Sequence, residues 1–159
     1  MFRKAIFAVL LAASPATADD HDHDHHVAQA AGIRAIHAWT NATRASTALV
    51  FVDITNSTDA PVNLIGAKTD IAASARLVAL ENAGGVLGLQ PIPHMPVPAG
   101  TTVHLGPDGL AIELASMTTR LTEGAHFDLH LLFDGIELPV VVEIESESAR
   151  QHSHAGHAH

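Results

Sequence analysis

Residues 48–56, Ala48-Leu49-Val50-Phe51-Val52-Asp53-Ile54-Thr55-Asn56, decide the fold class. Ala48, Val50, Val52 and Ile54 alternate with Leu49, Phe51, Asp53 and Thr55, the period of two that turns successive side chains to opposite faces of a strand. Phe127, Leu129, Leu131 and Phe133 alternate in the same way with His126, Asp128, His130 and Asp134. Further short apolar runs lie at 33–39, 61–67, 76–80, 86–92, 101–105, 109–115 and 136–144. Breakers separate them: Asn56 to Pro61, Gly84-Gly85, Pro96 to Gly100, Pro107 to Gly109, and Asp134-Gly135. Seven to nine short strands at such spacing predict an all-β fold, an antiparallel Greek-key sandwich or barrel. One short helical turn is expected at 71–75.

Outside this zone the chain changes character. Residues 1–18 read as a secretory signal: Arg3 and Lys4 start it, Ala5 to Ala13 form its apolar stretch, and Ala16-Thr17-Ala18 offers a small-x-small cleavage site. That stretch is about half the ~20 residues a membrane-spanning helix needs, and no second long apolar run follows, so no membrane span is expected. The expected compartment is the periplasm. Residues 19–32 form a His/Asp-rich tail, 33–145 the folded domain, and 146–159 a second His-rich tail. Neither tail has an apolar periodicity that could bury a face, so both are expected to be disordered without a ligand.

Composition narrows the chemistry. The 159 residues include no Cys, which excludes disulfide scaffolds, thiolate zinc sites, iron–sulfur clusters and blue copper. A formal charge of −9 argues against nucleic acid, because there is too little positive charge to neutralise a run of phosphates. No Gly-x-Ser-x-Gly, His-Glu-x-x-His or glycine-rich phosphate loop is present, so no enzyme is expected. The 13 His are the excess that needs a reason, and eight of them lie in the two tails.

Several segments then resemble one family. Ile33 to Trp39 with its Ala38-Trp39 pair, the 48–56 strand, Leu64-Ile65-Gly66-Ala67 and Gly84-Gly85-Val86 are similar to the periplasmic PCuAC copper chaperones. So are Val97-Pro98-Ala99-Gly100, Leu105-Gly106-Pro107-Asp108-Gly109 and the Phe133 to Val142 strand pair. The resemblance spans roughly 33–145. It implies a cupredoxin-like β-barrel that binds copper, chiefly Cu(I), and passes it to cytochrome oxidase assembly. The family's His, Met, His and Met ligands fall here on Val78, Leu89, Ala111 and Glu113. A one-residue slip gives Leu77, Ala79, Gly88, Leu110 or Ile112, which are no better. Cu(I) prefers thioether sulfur and imidazole, and Val, Leu and Ala offer no lone pair, so the inherited site is expected to be absent.

Metal binding is therefore expected on the tails. Cleavage after Ala18 would make Asp19 the amino terminus, and Asp19-Asp20-His21 resembles the amino-terminal copper- and nickel-binding motif. An amine, two amides and the His21 imidazole can close a square plane of nitrogens, which Cu(II) and Ni(II) prefer. Cleavage after Ala16 would abolish it. His21, His23, His25 and His26 form one imidazole-rich run, and His152, His154, His157 and His159 form the other. Imidazole suits Cu(II), Zn(II) and Ni(II), and binding is expected to weaken below about pH 6 as imidazoles protonate. His126 and His130 share a strand face but lie about 13 Å apart at ~3.4 Å per residue, too far to share one ion. His94-Met95 is a weaker soft-metal candidate. His37 and His104 read as strand residues on a polar face, and Trp39 as a core or rim aromatic.

Three functions follow from these readings. The first is a periplasmic protein that holds and delivers copper, more as Cu(II) than Cu(I), on its His-rich termini. The second is zinc binding or buffering, and the third a metal-independent interaction module. The partners implied are metal ions, with an oxidase-assembly protein or a metal importer as recipient.

Overall fold

The computed structural model describes residues 27–153. Its strands are β1 (Val27–Ala30), β2 (Ile33–Asn41), β3 (Thr47–Asn56), β4 (Val62–Lys68), β5 (Ala72–Ala83) and β6 (Val86–Pro91). They continue as β7 (Met95–Val97), β8 (Thr102–Leu105), β9 (Leu110–Met117), β10 (His126–Phe133) and β11 (Ile136–Glu145). All nine apolar runs of the sequence lie in or across strands. β1 and β7 are additional, and β1 extends the folded body into the expected amino-terminal tail by pairing with β2. The short helix expected at 71–75 is instead the start of β5, which pairs with β9 from Ala72 onward.

Hydrogen bonding runs β2-β11-β10-β4-β5-β9-β3 and back to β2, closing a barrel. An all-antiparallel arrangement is expected from the sequence, but β11 and β2 run parallel. No hairpin links this pair; the barrel closes by laying its last strand beside an early one, and such a pair can run the same way. Inward residues of alternate positions fill the interior: Ile33, Val50, Val52, Ile54, Leu64, Ile112, Leu114, Leu129, Leu131 and Val142 are all buried. Met95 is buried among them, so it is a core side chain rather than a metal contact.

One irregularity sets up the functional surface. Ile36 pairs with Asp53 and Trp39 with Phe51, so β2 carries one residue more than β3 across this step. His37 absorbs the extra residue with a φ of 53°, in the left-handed region that side chains other than Gly enter at a cost. The bulge reverses the alternation. Ala38 joins the interior, and Trp39 joins a separate cluster on the outer face with Phe51, Val78 and Ala111.

Two predictions follow from the barrel. Leu129 is fully buried in a central strand, so Leu129→Ala should cost about 2–5 kcal/mol in urea denaturation. On the outer face, a hydrogen bond from Lys68 Nζ at 2.8 Å, followed by His130, holds the Glu137 carboxyl below its ordinary value of 4.5. That pair's contribution to stability is present above the ordinary value and is lost as pH falls through the lowered one. Lys68→Met should move the Glu137 titration seen by NMR upward.

Candidate metal centre

β11 buries Leu138, Val140, Val142 and Ile144, so the alternate Glu143 and Glu145 leave the strand together on its outer face. Parallel pairing sets Glu143 beside Trp39 and Glu145 beside Asn41, while β10 sets His126 opposite Glu143. Beyond Glu145 the chain folds back. Asn41 Nδ2 donates to the carbonyls of Ser146 and Ala149, both at 2.9 Å, and Ala149 N donates to Ser146 O at 3.1 Å. This turn places His152 over the two carboxylates. The imidazole is 1% exposed, with Nε2 at 3.0 Å from Glu143 Oε2 and 3.7 Å from Glu145 Oε1. Ser153 donates to Glu145 Oε1 from N at 2.9 Å and from Oγ at 2.8 Å.

Glu143, Glu145 and His152 each offer one ligand atom, all within 4.8 Å of one another. Among the described residues no other such group of three forms. The donor set is two carboxylate oxygens and one imidazole nitrogen with no sulfur, which fits Cu(II) or Zn(II) far better than Cu(I). His37 stacks on His152, with ring centroids 5.5 Å apart and planes inclined by 26°. Behind it, Asp53 places Oδ2 at 3.7 Å from His37 Nδ1 and Oδ1 at 2.8 Å from His104 Nδ1. A row of imidazoles and carboxylates thus runs across the outer face to the metal-competent cluster.

The positions of the family's copper ligands are occupied differently. Val78 and Ala111 are cross-strand partners and form the outer apolar cluster with Trp39 and Phe51, whose rings lie 4.7 Å apart. Leu89 is exposed on β6, and Glu113 is held by Arg76 Nε at 2.6 Å. The inherited site is packed with hydrocarbon, and its one carboxylate is already paired.

Of the predicted ligands, the structure places His152, and it places it in a folded strap rather than a free tail. Asp19, Asp20, His21, His23, His25, His26, His154, His157 and His159 lie outside the described residues. His126, Asp128 and His130 do share the outward side of β10, as the alternation requires. His37 departs from its expected role as an ordinary strand residue because the bulge turns it against His152. Glu143 and Glu145 were not expected as ligands. Their signal was present in Val142-Glu143-Ile144-Glu145, two carboxylates on one strand face seven residues or more from a His, but nothing local reveals that the chain doubles back.

The comparisons agree with this architecture. The LpqE-like family model matches residues 33–144. Lxx21020 of Leifsonia xyli subsp. xyli, named as a lipoprotein, is 28% identical over 130 residues, covering 80% of this chain and 78% of that protein. Among solved structures, the apo PCuAC domain of PmoF2 superposes with a TM-score of 0.65 at 20% identity, covering 79% of this chain and 99% of that one. The copper-bound PmoF2 domain gives 0.64 at 20% identity, over 76% and 98%. The Cu(I) form of DR1885 from Deinococcus radiodurans gives 0.58 at 27% identity, over 70% and 76%. The fold is that of the PCuAC domain, cupredoxin-like and all-β.

With hydrocarbon at Val78, Leu89 and Ala111, the barrel should not compete for Cu(I). Titration under reducing conditions against a chromogenic Cu(I) chelator should leave the chelator loaded.

Proposed function

The chain belongs to the LpqE-like family, and on that footing we propose that it is an extracytoplasmic protein that holds and delivers copper as Cu(II). The reading rests on one observation above all, the convergence of Glu143, Glu145 and the buried His152 within 4.8 Å. It is supported by the copper-bound state of two proteins of this fold, the PmoF2 domain and DR1885. In those the metal is theirs; here hard oxygen and borderline nitrogen donors move the preference from Cu(I) to Cu(II). His154, His157 and His159 follow directly on His152 and supply further imidazoles. His21, His23, His25 and His26, with Asp19 and Asp20 at the expected mature terminus, provide a second capture arm.

The role is binding and transfer without turnover. Several imidazoles close together in sequence offer an ion alternative ligands and so a route for exchange, which suits a carrier better than a store. The recipient on this reading is an oxidase-assembly protein. Export rests on the signal read in residues 1–18, and the lipoprotein name of the family and of the Leifsonia relative is in keeping with a place outside the cytoplasm. The 159 residues hold no cysteine, so a thioether-linked lipid has no attachment point within them.

A zinc reading deserves equal chemistry, because two carboxylates and an imidazole are as good a beginning for tetrahedral Zn(II). Supply then decides between the ions, since Cu(II) binds such donors more tightly in general. The recipient would be a zinc importer.

Calorimetric titration separates the parts of this proposal. Glu143→Gln combined with Glu145→Gln should weaken the tightest Cu(II) site at least ~10-fold while leaving weaker equivalents on the termini, a loss comparable to or larger than that of outer-shell partners. An unchanged tightest site in that variant would remove the cluster from the function.

A further inference from the structure

The metal cluster is built from two pieces of chain that are held together weakly. Glu143 and Glu145 belong to the barrel. His152 belongs to residues 146–153, where Glu147, Ser148, Arg150, Gln151 and Ser153 are exposed, Ser146 and Ala149 are half-buried, and His152 is buried. Ala149 packs on the outer cluster of Trp39, Phe51, Val78 and Ala111. The strap therefore packs on the apolar cluster that includes Val78 and Ala111, two of the positions where the family's copper ligands would stand, and it carries His152 in with it.

From this we infer that residues 146–153 are a metal-latched strap: docking of the strap completes the site, and the ion in turn holds the strap down over Trp39. The inference rests on the proposed metal site and adds its regulation. Its physical basis is the small number of anchors. Besides the His152 and Ser153 contacts to the two carboxylates, the strap is held by two hydrogen bonds from Asn41, by the stacking of His152 on His37 and by the Ala149 methyl on an apolar patch. Such a segment opens locally without unfolding the barrel. An ion that binds Glu143, Glu145 and His152 together has affinity only for the closed form, so it shifts the population toward closure. Linkage then requires that whatever lowers the closed fraction of the strap lowers metal affinity in proportion. In the open form Glu143 and Glu145 stay on the barrel while His152 leaves with the strap. The ion thereby loses one of its three ligands, which is the step a carrier needs for hand-over.

Trp39 makes this measurable, because it is the only tryptophan and is 5% exposed beneath the strap. The full chain is titrated with Zn(II), which does not itself quench fluorescence, while acrylamide quenching of Trp39 is followed. Asn41→Ala removes both strap hydrogen bonds without touching a ligand. It should raise Trp39 quenching, lower zinc affinity about tenfold for the loss of two ordinary hydrogen bonds, and return to wild-type quenching at saturating zinc. Ala149→Glu, which sets a charge against the apolar patch, should do the same by a different route. Zinc affinity unchanged in both variants while Trp39 becomes exposed would overturn the latch and leave the metal site standing. Absence of zinc and Cu(II) binding at Glu143 and Glu145 in the wild-type chain would overturn the site and the latch together.

Discussion

Two carboxylates that leave a β-strand two residues apart must share one side of the sheet, and Glu143 and Glu145 do so with little room between them. Their mutual repulsion is relieved by what stands in front of them, and the chain supplies His152. The buried imidazole stands where a cation would, and the same three ligand atoms lie within 4.8 Å of one another. The rest of the outer face is arranged around this contact. The bulge at His37 provides a ring for His152 to stack on, and Asn41 turns the chain so that His152 arrives.

The barrel has the PCuAC fold, but its His/Glu cluster lies on Glu143, Glu145 and His152 rather than at Val78, Leu89, Ala111 and Glu113. The barrel, its turns and its core follow the family, yet Val78 and Ala111 close over the inherited position with Trp39 and Phe51. Hydrocarbon at that place gives a platform for Ala149, so the loss of the old ligands and the seating of the new strap are two sides of one packing change. The new donors are harder than the old ones.

The barrel was legible in the sequence because its signal is local. Each strand announces itself by alternation, and the breakers at Gly84-Gly85 and Asp134-Gly135 fix where the chain reverses. Parallel pairing of β2 with β11 was not legible, since it joins segments about a hundred residues apart and leaves no mark on either. The site was half legible. His152 stood out as one of many tail histidines, and the absence of ligands at Val78, Leu89 and Ala111 could be read directly. Composition alone described residues 146–153 as a free tail, because the few residues that turn inward, Ser146, Ala149 and His152, form no periodic pattern. The extra residue at His37 was hidden for a similar reason: an apolar run such as Ile33 to Trp39 shows its hydrophobicity but not the point at which its faces exchange.

The central claim is that the folded body holds its ion on Glu143, Glu145 and His152. Diffraction from Cu(II)-loaded crystals, recorded on both sides of the copper absorption edge, tests it most directly. The account predicts an anomalous peak about 2.0–2.2 Å from ligand atoms of all three side chains, as for other imidazole and carboxylate sites. A peak beside Val78, Leu89, Ala111 and Glu113, with His152 still bonded to Glu143, would contradict it.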